Sequence, residues 1–244
     1  MSRTCLQLVQ VFCTRRGLVE PNTAVSSSDT QVKQLLGLLN QGGSAIARRA
    51  EWQVLTDEAT FTTLAAADQG ALTTIIGANN SFRRIIDETI WNRTTQRIVA
   101  GPLYAAERQG RLAIVTAGPF PEYSIRGGHL LFDPVPTAGD SCYFEYVSNN
   151  WCTIAAGTTR KSFFTLDDDL SLFDDELHLT DLQWRWNKAK GLEYAEDFNE
   201  FEAMLIDRQT EDKTARRKNL DQLQAGLRTG IFVPSGNFSL TQMG

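Results

Sequence analysis

Sulfur and imidazole are scarce in this 244-residue chain: four cysteines, at positions 5, 13, 142 and 152, and two histidines, His129 and His178. The cysteines show no close repeated spacing, so neither a structural zinc site nor a disulfide scaffold is expected. No apolar run approaches the ~20 residues that cross a bilayer, and the first residues lack the apolar core and cleavage pattern of a secretory signal. The expectation is a soluble protein made in a reducing cytosol, with no membrane partner. A phosphate loop is missing too, because GGSAIARR has no lysine followed by Ser or Thr in frame and no strand before it. Residues 123–244 carry 12 basic and 19 acidic groups, against 12 and 10 in residues 1–122. An acidic second half argues against a broad nucleic-acid surface there.

What is present is helical periodicity at both ends of the chain. RTCLQLVQVFCTRRGL reads as a short helix with a basic last turn and a glycine stop, its two cysteines packed inward. Ser28 and Gln31 have capping-box spacing ahead of Val32, Leu35, Leu36 and Leu39. Gly42 and Gly43 then interrupt the pattern before Ile46 and Ala47, and two helices meeting there are favoured over one bent helix. The longest proline-free helical region is Asp174 to Ala225. From Leu192, apolar residues at Ala195, Phe198, Phe201 and Leu205 mark one buried face. The opposite face is acidic early (Glu193, Glu196, Asp197, Glu200) and basic late (Lys213, Arg216, Arg217, Lys218), an order suited to the helix dipole. A continuous helix to Leu223 would span about 45 Å; a hairpin broken near Thr210 to Thr214 is the alternative. Trp184 and Trp186 lie about 200° apart around a helix, so they cannot form one stacking platform for bases.

Between the helical ends the period changes to two. Ala59, Phe61 and Thr63 alternate with polar residues, and IIDETIWNRTTQRIVAG reads as a hairpin turning near Asn92 to Thr95. Pro102 opens a short helix to Gly110. Tyr123–Arg126, His129–Phe132, Cys142–Val147 and Trp151–Ala155 are short strands, with Cys142, Phe144 and Tyr146 on one face. Domain limits follow: 1–53 and 166–225 as a helical domain, 54–165 as a β-rich domain with a short helix near 102–110, and 226–244 as an extended arm.

Catalytic and metal motifs do not emerge. The run TLDDDLSLFDDE lacks an EF-hand frame, since its sixth position from Asp167 is Leu172 and its twelfth is His178. Solvated loop acids are the favoured reading, with Asp174, Asp175 and Glu176 starting the next helix. Asp87 with Glu88, or Glu193 with Glu196, are pairs common on solvated faces. His129 lacks a recognisable nucleophile, and His178 reads as structural with a pH-sensitive contact.

RRAEW, FRRIIDETIWNRTTQRIVAGPLYAAERQ and LHLTDLQWRWNKAKGLEYAEDFNEFEAML resemble the head-to-tail adaptor proteins of short-tailed bacteriophages, the group of tail tubular protein A and the tail accessory factor. The likeness spans most of residues 28–212, more in these segments than in the β part. Gly42 and Gly43 depart from the uninterrupted helix expected of close relatives. The resemblance implies an α+β subunit: an antiparallel helical bundle with a β-rich insertion and an extended C-terminal arm. It implies a structural, non-enzymatic virion protein of the tail or neck, without cofactor, forming a dodecameric ring between the portal and the tail nozzle or tube. Under it, Arg216, Arg217, Lys218, Ile231, Phe232 and Phe238 would bind the portal. Trp184, Trp186, Phe198 and Phe201 would lie between subunits, and Glu193, Glu196, Asp197 and Glu200 would face a channel that packaged DNA touches transiently. The rivals are another tail-completion or minor tail protein, and a tail-associated glycan-cleaving enzyme using acids of the β part.

Overall fold

A computed structural model describes residues 2–77, 81–113, 120–155, 157 and 159–212. The fold is mixed α/β, with helices toward both sequence ends and antiparallel strand ladders between them. The helices are α1 (Cys5–Arg16), α2 (Thr30–Arg49), α3 (Leu72–Ile76), α4 (Ala105–Ala113), α5 (Asp175–Lys190) and α6 (Ala195–Asp212). The strands are β1 (Thr56–Thr62), β2 (Asp68–Ala71), β3 (Phe82–Ile85), β4 (Trp91–Asn92), β5 (Arg97–Ile98) and β6 (Glu122–Arg126). They continue with β7 (His129–Asp133), β8 (Ser141–Ser148), β9 (Cys152–Thr153), β10 (Arg160–Lys161) and β11 (Leu170–Ser171). Among the described residues two compact units result, the first from residues 2–60, 71–77, 81–86, 144–155, 157 and 159–212, the second from 61–70, 87–113 and 120–143. Residues 144–165, read from sequence with the β part, thus group with the helices.

In the first unit, α1 starts at a capping box in which Thr4 and Gln7 satisfy one another's backbone N–H groups, and it stops at Gly17 with φ 64°. Its buried face, Leu8, Val9 and Phe12, joins Leu35, Leu39 and Ile46 of α2 and Leu179, Leu182 and Trp186 of α5 in one core. Two expectations about α2 are corrected. Its cap is Asp29, whose carboxylate accepts the N–H of Gln31 at 2.8 Å, one residue after the expected Ser28. And it does not break: twenty residues run as one helix through Gly42 and Gly43. A Cβ on Gly43 would lie 2.5 Å from the Trp151 indole, and one on Gly42 1.9 Å from Asp181 Oδ2. The glycines let two buried groups approach the helix backbone, and the tight packing offsets their poor helix propensity.

The end of α2 is held by Arg83 of β3, which donates to the carbonyls of Ala47 at 2.7 Å and Arg48 at 2.8 Å. Those carbonyls lack helical partners. Arg83→Ala should lower stability by about 1–2 kcal/mol, seen as a lower urea midpoint at constant slope; an unchanged midpoint would mean water replaces the cap.

β3 pairs antiparallel with the end of β8, Ile85 opposite Tyr146, and β9 is flanked by β10 and β11, Thr153 facing both Arg160 and Leu170. In the second unit β7 lies between β2 and β6, with Glu122 of β6 opposite Asp133. The expected hairpin is β4 and β5, Trp91 opposite Ile98. Pro102 does not open α4: it follows a cis peptide at Gly101, and the helix begins at Ala105.

Candidate functional site

The segment LHLTDLQWRWNKAKGLEYAEDFNEFEAML folds as the helical hairpin of α5 and α6. Asp174 caps α5 by accepting the Glu176 N–H at 2.9 Å, Asp175 and Glu176 occupy its first turn, and Gly191, with φ 71°, ends it. The break in this region is therefore at Gly191, and helix continues unbroken from Ala195 to Asp212, across the first part of the expected break near Thr210 to Thr214. Phe198, Phe201 and Leu205 turn α6 toward α5: the Trp184 ring stands edge-on to Phe198 at 5.2 Å and tilted to Phe201 at 6.3 Å. On the other side of α5, Trp186 is buried against Phe12 at 5.8 Å. The two indoles diverge as their spacing requires. Of the four aromatic residues expected between subunits, Trp186 and Phe201 are buried within their own chain, and Trp184 and Phe198 are half-buried against each other.

Of the four expected channel acids, Glu193, Glu196 and Glu200 are exposed. Asp197 is not free to face a channel, because it accepts hydrogen bonds from Gln183 at 2.5 Å and from Asn187. Arg216, Arg217, Lys218, Ile231, Phe232 and Phe238, like the whole of the expected arm, lie outside the described residues.

The aspartate run is not simply solvated. Asp169 is fully buried and meets Lys161 Nζ at 2.6 and 2.7 Å, and it also accepts the N–H groups of Thr165 and Leu166. Burial pushes its carboxyl up, and Lys161 with those N–H groups more than reverses the effect, holding it below the usual range. Asp167 accepts the N–H groups of Ala24 and Val25. The run is a structural clasp, and among the described residues no three His, Cys, Asp or Glu side chains are grouped to hold a metal.

His178 is fully buried beside Trp151, with Ser171 Oγ 2.6 Å from Nε2. Ser171 Oγ also accepts the Phe173 N–H, and among the described residues no hydrogen-bond partner meets Nδ1 on the other side of the ring. Burial lowers the imidazole pKa from 6.5 to about 4, against a smaller opposing effect of Asp174. The unfolded chain binds the proton more readily, so the contribution is complete above pH ~6.5 and lost as pH falls toward 4. Between pH 7 and 5 the protein should lose about 2 kcal/mol. Urea titrations at both pH values test this, and His178→Gln should flatten the difference.

In the β-rich unit, His129 is exposed and its Nδ1 lies 3.0 Å from Asp68. A recess of about 230 Å³ opens between α4 and the β6–β7 hairpin, bordered by Leu103, Arg108, Leu112, Glu122, Asp133 and Val135. Burial raises the Glu122 carboxyl, Arg111 opposes this, and Asp133 and Glu107 add to it. Glu122 Oε1 accepts a hydrogen bond from the Arg111 guanidinium, and Asp133 stands opposite across the strand pair; two carboxyls so placed at a recess are the kind of pair that acid–base chemistry uses. Sequence reading missed this pair, because only the strand register brings residues 122 and 133 together. No protein-family model matches the chain, and no curated protein matches it.

Proposed function

We propose that the chain is a structural subunit of a bacteriophage virion, a head-to-tail adaptor that forms a ring between portal and tail. In this reading the helices of the first unit make a bundle, the second unit is its β-rich insertion, and the C-terminal arm reaches the portal. Ring closure at dodecameric copy number, contact with a tail nozzle or tube protein, and transient contact with packaged DNA belong to the same proposal. The observation that carries it is the α5–α6 hairpin. This segment, one of those that carry the family resemblance, uses its inner face within its own chain and leaves an outer face that is exposed and acidic. Such a face suits either repulsion of DNA or contact with another copy.

Mass measurement of the purified protein, alone and with the portal of the same virus, tests this. The full-length chain should give a large complex of defined stoichiometry, and truncation after Ala225 should abolish it. A monomer that ignores the portal in both forms would remove the adaptor reading.

One observation favours a second reading, a glycan-cleaving tail enzyme: the Glu122 and Asp133 carboxyls bordering the same recess. Release of soluble sugar from peptidoglycan, abolished by Glu122→Gln, would move this reading to the front.

A further inference from the structure

The recess of the second unit is a gap beneath a helix that is fastened at its two ends. The Leu103 N–H donates to the Tyr123 carbonyl at 2.8 Å ahead of α4, and Arg111 near its far end binds Glu122 of β6. No residue of α4 is buried. Strand pairing puts Glu122 opposite Asp133 and Ser124 opposite Leu131, so these four side chains share one face of the β6–β7 hairpin, and all four border the recess. From α4, Arg108 and Leu112 border it as well, about one helical turn apart on the same side. Leu112 and Val135, which also lines the recess, are 61% and 55% exposed. Exposed aliphatic groups around a recess are surface that an apolar ligand would cover.

The polar groups around this recess lack partners. Ser124 is 3% exposed, and among the described residues no hydrogen bond engages its Oγ. A hydroxyl so deeply buried is costly to leave unbonded, so the position asks for a partner from outside the chain. Glu122 gives Oε1 to Arg111, and its Oε2 is buried without a partner. The Arg108 guanidinium and the Asp133 carboxylate enter no ion pair or hydrogen bond among the described residues, not even with each other, although both border one recess. An unpaired cation and an unpaired anion beside aliphatic walls match a ligand that carries both charges on an aliphatic body. A neutral sugar would leave the cation idle, and the aromatic residue at this recess, Phe132, packs its ring against Phe61. At about 230 Å³ the space is smaller than the ~300–1,000 Å³ of pockets for drug-sized ligands, which suits a single amino acid.

We propose that the recess between α4 and the β6–β7 hairpin binds a free aliphatic α-amino acid. Arg108 receives its carboxylate, Asp133 its ammonium group, Ser124 Oγ bonds to the same polar end, and Leu103, Leu112 and Val135 cover its side chain. The site lies within the second unit and does not depend on the ring reading: mass measurement decides the ring, and ligand binding decides the recess.

Isothermal titration calorimetry of the full-length chain tests this with three related probes: L-leucine, isoamylamine, which lacks the carboxylate, and isocaproate, which lacks the ammonium group. L-leucine should bind saturably, and each analogue at least about tenfold more weakly, since each loses one charge-assisted bond. Arg108→Gln should weaken leucine by about tenfold and leave isoamylamine unchanged, whereas Asp133→Asn should weaken leucine by a similar factor and leave isocaproate unchanged. Both residues are half-buried and outside the core, and circular dichroism checks that each variant keeps the native fold. The comparison of analogues on the wild-type chain decides without either variant. Absence of leucine binding at millimolar concentration, an analogue that binds as well as leucine, or leucine binding untouched by both variants overturns the proposal. Binding of N-acetylglucosamine where leucine fails would overturn it too, and would give the recess to the glycan-cleaving reading.

Discussion

Gly43→Ala should destabilise the protein by about 1–2 kcal/mol, despite replacing the poorest ordinary helix former with the best. Alanine gains up to about 1 kcal/mol of helix propensity, whereas overpacking a filled core costs about 1–3 kcal/mol and at times more. The added methyl would sit 2.5 Å from the Trp151 indole. That ring cannot withdraw, being fully buried and packed edge-on to Phe164 at 4.8 Å and against His178 at 5.5 Å. Gly37 is the control on the same helix: nothing lies within 4 Å of its added Cβ. Gly37→Ala should therefore stabilise by up to about 1 kcal/mol. Opposite shifts of the urea midpoint would establish that the glycine at 43 serves close packing. If both alanines stabilise, the approach of Trp151 to α2 is looser than described.

Asp169→Ala should cost about 3–5 kcal/mol, since it leaves Lys161 without its buried partner and two N–H groups without an acceptor. Lys161→Met added to that variant should recover part of the loss, because the uncompensated charge disappears. The pH sign also follows. The folded carboxyl titrates below its unfolded value, so its contribution is present above the ordinary carboxylate range and disappears as pH falls through the lower, folded value. Asp169→Asn should weaken that acid dependence. A variant as stable as wild type at neutral pH would show that the clasp is dispensable.

The elements most legible in sequence were those fixed by local chemistry. The stop at Gly17, the acids starting α5, the divergence of Trp184 and Trp186, and the β4–β5 hairpin all follow from spacing within a few residues. What escaped was set by distant partners. Gly42 and Gly43 look like helix breakers until Asp181 and Trp151 are placed against them. Asp169 looks like one acid in a solvated run until Lys161 reaches it. The start of α2 shows the limit of motif reading, since Ser28 has good spacing and the next residue makes the bond. On the candidate surface, the acids at 193, 196 and 200 were legible from the period of α6. The hold of Gln183 and Asn187 on Asp197 needed the neighbouring helix.

The clasp around Asp167 and Asp169 also governs timing. Asp167 binds the N–H groups of Ala24 and Val25, and the N–H of Cys5 bonds to the Asp169 carbonyl at 2.7 Å. The apolar faces of α1 and α2 then close on α5, which starts at Asp175. On a ribosome the first two helices must accordingly wait for more than a hundred further residues, about ten seconds at ~5–20 residues per second. During that interval Leu8, Phe12, Leu35 and Leu39 lack the partners they have in the finished core. Yield in the cell should therefore depend on chaperone supply and translation speed more than the final stability suggests.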